Sequence, residues 1–129
     1  MLTQARMKAV LQAYVDGLNA DDAEAVIALF APDAVIEDPV GTKEKRGAEI
    51  VAWFRGAAKM RARLELATPI RGSHGLAAAM AFTVTTRFEG QLRSTRSLDV
   101  VRFDEQGRIT RLEGYWGPED VEVRPDPGD

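Results

Sequence analysis

Ser97-Leu98-Asp99-Val100-Val101-Arg102-Phe103 is the stretch that decides how the second half of this chain folds. Its strict alternation is that of a β-strand, with Asp99, Val101 and Phe103 on one face and Val100 and Arg102 on the other. A carboxylate thus shares a face with two core-forming side chains and points into an apolar interior. Burying a lone charged carboxylate is so costly that the group keeps its proton, and a neutral carboxylic acid is a hydrogen-bond donor. A buried donor facing a cavity serves to hold a developing negative charge. The competing reading is structural, with Asp99 paired to an arginine such as Arg87 or Arg96.

Working outward, turn residues at Gly72-Ser73-His74-Gly75, Glu89-Gly90 and Glu105-Gln106-Gly107 separate extended runs near residues 61–71, 76–89, 91–104 and 108–117. The expected arrangement is an antiparallel meander. The basic run Lys59-Met60-Arg61-Ala62-Arg63 reads as the solvated face of an edge strand rather than a phosphate track.

Upstream the period changes. Met7, Val10, Leu11, Tyr14, Val15 and Leu18 recur at helical spacing behind Thr3, a capping residue, and predict a helix to about Asn19. Asp21 with Glu24 has the form of a capping box and opens a short second helix that ends before Pro32. Ala34, Ile36 and Asp38 then alternate as an extended segment, and Pro39 biases Asp38 away from helix. Ile50, Trp53, Phe54, Ala57 and Ala58 predict a third helix starting near Gly47. Helices followed by an antiparallel sheet imply an α+β domain with the helices packed on one face of the sheet. At 129 residues and 45% hydrophobic content the chain fits one domain spanning 1–129. From about residue 122 the proline-rich tail, ending Arg124-Pro125-Asp126-Pro127-Gly128-Asp129, is expected to be loosely ordered.

Composition excludes several chemistries. Without cysteine there is no disulfide framework, thiolate nucleophile or cysteine-ligated zinc. The single histidine, His74, falls in a turn, and its neighbour Ser73 forms no nucleophile pattern with it. Asp21-Asp22 reads as helix capping, and the scattered acids lack metal-ligand spacing, which argues against a metal site. A net charge of −3 argues against nucleic-acid binding. No continuous apolar run follows Arg6 and Lys8, so a signal peptide and a membrane span are not expected and a cytoplasmic location is.

Tyr14, Asp38 and Asp99 each lie in phase with hydrophobic neighbours on three different elements. Taken singly, Tyr14 reads as a core tyrosine and Asp38 as a turn residue before Pro39. Together they fit proton abstraction beside a carbonyl: an ionised carboxylate takes the proton while a phenol and a neutral acid donate to the oxygen that becomes negative.

At these residues the chain resembles the delta-5-3-ketosteroid isomerases of the NTF2-like fold. The stretches that carry the resemblance are VLQAYVDGLNADD around Tyr14, ALFAPDAVIEDPVG around Asp38, AAAMAFTV around Phe82 and LDVVRFDEQGRI around Asp99. The resemblance runs from Ala9 to about Trp116 and implies a cone of three N-terminal helices on a curved, mainly antiparallel sheet. It implies that Asp38 carries a proton from C4 to C6 of an apolar 3-oxo-Δ5 steroid while Tyr14 and protonated Asp99 hold the C3 oxygen. It further implies that Met80, Phe82, Val84, Trp116 and Phe54 bind the hydrocarbon, that no cofactor is used, and that the protein is a homodimer. Phe30 and Phe54 stand where some members of the family carry additional tyrosines. The alternatives are another enzyme on the same fold, such as a polyketide cyclase or a dehydratase, and a noncatalytic module for binding an apolar ligand or for dimerisation.

Overall fold

The computed structural model describes residues 1–128. Helix α1 (Gln4–Asn19) starts where the Thr3 hydroxyl accepts the Arg6 amide proton at 3.1 Å, and it buries the predicted stripe including Met7, Leu11 and Tyr14. Helix α2 (Ala23–Ile27) is capped by Asp22, whose Oδ1 accepts from the Ala25 amide at 3.1 Å. The expected cap, Asp21, is one residue too early: it takes a left-handed conformation at φ +56° and pairs with Arg63 at 2.8 Å. Helix α3 (Ala48–Lys59) follows Gly47, whose φ of +53° turns the chain into it without the strain a side chain would add.

Among the described residues seven strands form one sheet. They are β1 (Phe30–Glu37), β2 (Lys45–Arg46), β3 (Arg63–Leu66), β4 (Ala77–Phe88), β5 (Gln91–Phe103), β6 (Ile109–Tyr115) and β7 (Val121–Pro125). Their order is β2-β1-β6-β5-β4-β3, with β7 beside β5. The expected meander holds from β3 to β6, but β1 joins parallel to β6. A parallel pair needs a long crossover, and the chain from α3 through β5 supplies it.

Two expectations need correction. The strand expected over 61–71 shrinks to β3, because Met60 and Arg61, the latter at φ +53°, are spent closing α3. The tail from 122 is ordered as far as it is described: β7 pairs residue for residue with Gln91–Thr95 of β5. Asp126 then accepts an ion pair from Arg87 at 2.9 Å, and its amide donates to the Gly90 carbonyl at 2.9 Å. Asp129 lies outside the described residues.

β5 is therefore shared along its length, with β7 on its first half, β6 on its second and β4 throughout. The sheet is curved, and α1 and α3 close over it, with Met7, Leu11, Ile36, Met80, Val101, Ile109 and Leu112 at the centre of the core. Among the described residues no helix is long and apolar enough to cross a membrane.

Candidate active site

Tyr14, Asp38 and Asp99 come together. All three line one cavity of about 470 Å³, the size range of small-molecule sites. α1 places Tyr14, the end of β1 places Asp38 just before the cis bond to Pro39, and the centre of β5 places Asp99. Phe54, Phe82, Val84 and Trp116 also line this cavity. Met80 does not: it sits opposite Asp99 in the β4–β5 register, completely buried in the core beneath the cavity floor.

Asp99 is 1% exposed, and its Oδ1 accepts from the Ser97 hydroxyl at 3.1 Å. The arginines that could have made it structural are engaged elsewhere, Arg87 with Asp126 and Arg96 with the Glu119 carbonyl. Among the described residues no fully buried side-chain nitrogen or oxygen is left without a partner. The second oxygen of Asp99 and the Tyr14 hydroxyl, which have no protein partner there, are therefore open to the cavity. Burial, with the nearby charge of Asp38, holds the Asp99 carboxyl well above its ordinary range; the Ser97 bond pulls weakly the other way. Burial likewise pushes the Tyr14 phenol far up, reinforced by the charges of Asp99 and Asp38, so the hydroxyl remains a donor.

Asp38 has a different environment. Partial burial raises its pKa, but the Trp116 indole donates to Oδ1 at 2.7 Å and the Lys45 charge lies nearby, both favouring the anion. Lys45 is held by stacking on Trp53, its Nζ 4.7 Å from the ring centroid. Burial raises both carboxyl groups, but unequally: Asp99 goes well above its ordinary range, whereas the Trp116 and Lys45 contacts offset part of the rise at Asp38 and leave it the more readily ionised of the two. Around Tyr14, Phe54 packs edge-on at 5.7 Å and Phe30 at 6.5 Å between centroids, so apolar rings occupy the space where additional phenols would stand.

Sequence reasoning missed three contributors. Trp116, expected only to line the cavity, is the hydrogen-bond donor to Asp38. Ser97 orients Asp99 from two residues away on the same strand face. Gly114 lies opposite Asp99 across β5 and β6, and a Cβ there would run into the Asp38 carboxylate. The signal for Gly114 was present, since an isolated glycine inside a strand run marks a close approach. Among the described residues no group of three or more His, Cys, Asp or Glu has a metal-binding arrangement.

Residues 11–112 match the family model for the SnoaL-like domain. The chain is 36% identical to the Steroid Delta-isomerase of Nocardioides simplex over 94% of its own length and 98% of that protein's. It is 33% identical to the Epoxide hydrolase LasB of Streptomyces lasalocidi over 88% of its length, which corresponds to 42% of that longer protein. Among solved structures, the epoxide hydrolase/cyclase-like enzyme SalBIII superposes with a TM-score of 0.89, covering 96% of this chain and 100% of that one at 23% identity. That last likeness speaks to the fold. Sequence, cone-shaped architecture and family match agree that the chain belongs to the SnoaL-like family of NTF2-like proteins.

Proposed function

We propose that the protein is a steroid delta-isomerase, converting 3-oxo-Δ5 to 3-oxo-Δ4 steroids. The observation that carries the proposal is one cavity holding two unequal carboxyl groups, Asp38 the more readily ionised and Asp99 the one kept neutral by burial, together with the Tyr14 hydroxyl, which has no protein partner. Asp38 removes a proton from C4, and the electrons move through the C3 carbonyl to give a dienolate. Tyr14 and Asp99 donate to the C3 oxygen as its charge grows, and the return of the proton from Asp38 to C6 leaves the double bond conjugated at C4–C5. The Trp116 indole keeps Asp38 aimed and, by donating to Oδ1, stabilises its anion against the rise that burial imposes. Phe54, Phe82, Val84 and Trp116 provide the apolar surface for a rigid hydrocarbon. The reaction requires no cofactor. The similarity to the steroid isomerase over nearly both whole lengths supports this substrate class.

Two copies of the chain are proposed to pair through the sheet face turned away from the cavity. There Leu98 and Tyr115 stand opposite each other in register and are each nearly half exposed. The protein is further read as cytoplasmic.

The test is direct. Purified protein mixed with 5-androstene-3,17-dione should produce the conjugated enone absorbance, and Asp38→Asn should lower turnover ~10²-fold to 10⁴-fold, as expected for loss of a general base. Near-normal turnover in a folded Asp38→Asn variant removes Asp38 from the mechanism. The likeness to LasB favours a second reading, in which the same acid and base open an epoxide. That reading gains if the steroid is inert while an apolar epoxide is consumed in an Asp38-dependent reaction.

A further inference from the structure

The cavity floor is accounted for by the proposed chemistry, but its mouth is not. The β4–β5 register sets residues in rows from Asp99 outward: Met80 beside Asp99, Phe82 beside Ser97, Val84 beside Thr95, Thr86 beside Arg93 and Phe88 beside Gln91, all but Met80 and Ser97 lining the cavity. β7 widens the outer part, placing Val123 opposite Arg93. Exposure rises along these rows, from 1% at Asp99 to 63% at Phe88, which fixes the direction from floor to mouth. Polarity changes in the same direction. Acids mark the floor, Phe82, Val84, Leu64 and Trp116 form an apolar belt, and Thr86, Gln91 and Arg93 bring polar groups back at the rim.

Arg93 is the unusual member. Its guanidinium carbon stands 5.5 Å from the centre of the Trp116 ring, so the cation is parked against the cavity wall. Among the described residues no carboxylate lies within ion-pair distance of it. Nearby Arg87 and Arg124, by contrast, reach Asp126 at 2.9 Å and Glu122 at 3.9 Å. A lining guanidinium with no acid of its own leaves a planar fork suited to a carboxylate. The adjacent Phe88 and Val123, 63% and 53% exposed, form an apolar ledge beyond the belt that a longer hydrocarbon would cover.

We propose that Arg93 determines specificity by receiving a carboxylate carried at the end of the substrate remote from the reacting carbonyl. The preferred substrates are then apolar ketones with an acidic side chain. This rests on the isomerase reading for which end of the ligand enters first. A neutral acceptor would form a weaker bond with the same fork, and an arginine that merely props Trp116 would not distinguish the two ligands.

The experiment uses a pair of ligands that differ at that end alone, 3-oxochol-4-en-24-oic acid and its methyl ester. Binding is followed through the fluorescence of the two tryptophans, Trp53 and Trp116, both of which line the cavity. Wild-type protein should bind the acid at least about fivefold more tightly than the ester, with the preference shrinking as salt is added. Arg93→Gln should bring the ratio to about one. Equal or weaker binding of the acid in the wild type, or no binding, overturns the proposal. So does an Arg93→Gln variant that weakens both ligands by the same factor, which would assign Arg93 to supporting Trp116. Turnover of 5-androstene-3,17-dione is measured separately. An acid preference without any isomerisation sinks the isomerase reading and keeps the carboxylate site, whereas isomerisation with equal affinities does the reverse.

Discussion

Tyr14 shows how a core residue and the donor proposed for the reaction differ at the level of a single oxygen. Its ring is packed by Phe30 and Phe54, and the residue is 4% exposed, as any core tyrosine would be. Its hydroxyl, however, has no protein partner among the described residues and opens on the cavity. Removing that oxygen therefore breaks no internal hydrogen bond, and the apolar ring contacts survive. Tyr14→Phe should leave the urea midpoint nearly unchanged while lowering steroid turnover ~10²-fold to 10³-fold, the usual effect of losing one donor to a developing oxyanion. A variant that loses stability but keeps its rate would show that the hydroxyl serves the fold. The phase of Tyr14 on its helix was legible in the sequence, whereas the lack of a partner for its hydroxyl was not, because it depends on what the other elements bring near. Asp99 was more readable, since its strand phase alone set it among core residues. Excluding an arginine partner still required seeing Arg87 and Arg96 engaged elsewhere.

At the scale of elements, the readable features were those governed by local period and capping: α1 with its Thr3 cap, α3 after Gly47, and the consecutive strands β4, β5 and β6. What escaped was pairing between distant segments. The parallel contact of β1 with β6 and the docking of β7 on β5 leave no local pattern, and the Pro125-Asp126-Pro127 composition argued for the opposite of an ordered strand. The site's tightest packing is of this distant kind. Gly114 of β6 faces Asp99 of β5 on one side, while its carbonyl accepts the Val40 amide proton at 2.8 Å just beyond β1, which brings the Asp38 carboxylate over its Cα. A methyl group there must displace Asp38 from the Trp116 indole. Gly114→Ala should fold with a modest loss of stability, about 1–3 kcal/mol for overpacking, and should lower kcat by about 10², the effect expected of a base moved by roughly an ångström. Unchanged kcat would mean that Asp38 works equally well from another position, and the role given to the Trp116 hydrogen bond would have to be abandoned.

For the whole molecule, the neutral Asp99 couples the site to global stability through pH. Its folded pKa is raised by burial and by the Asp38 charge, above an unfolded value of about 3.9. The native state therefore holds a proton that the unfolded chain has released once the pH passes that value. A group of this kind contributes fully below the unfolded pKa, and its contribution falls as pH rises toward the folded one. Asp38 has a raised pKa too and adds a slope of the same sign, but it is present in both proteins when Asp99 alone is replaced. Asparagine at position 99 has no proton to take up, and its amide still donates toward the cavity. Relative to wild type, Asp99→Asn should gain stability progressively from about pH 4 toward neutrality while keeping a substantial part of the steroid turnover. Urea midpoints of the two proteins measured side by side across that interval give the sign. If the variant instead loses ground as pH rises, Asp99 is an ionised group stabilised by its surroundings, and the two-donor arrangement with Tyr14 cannot be how the enolate oxygen is held.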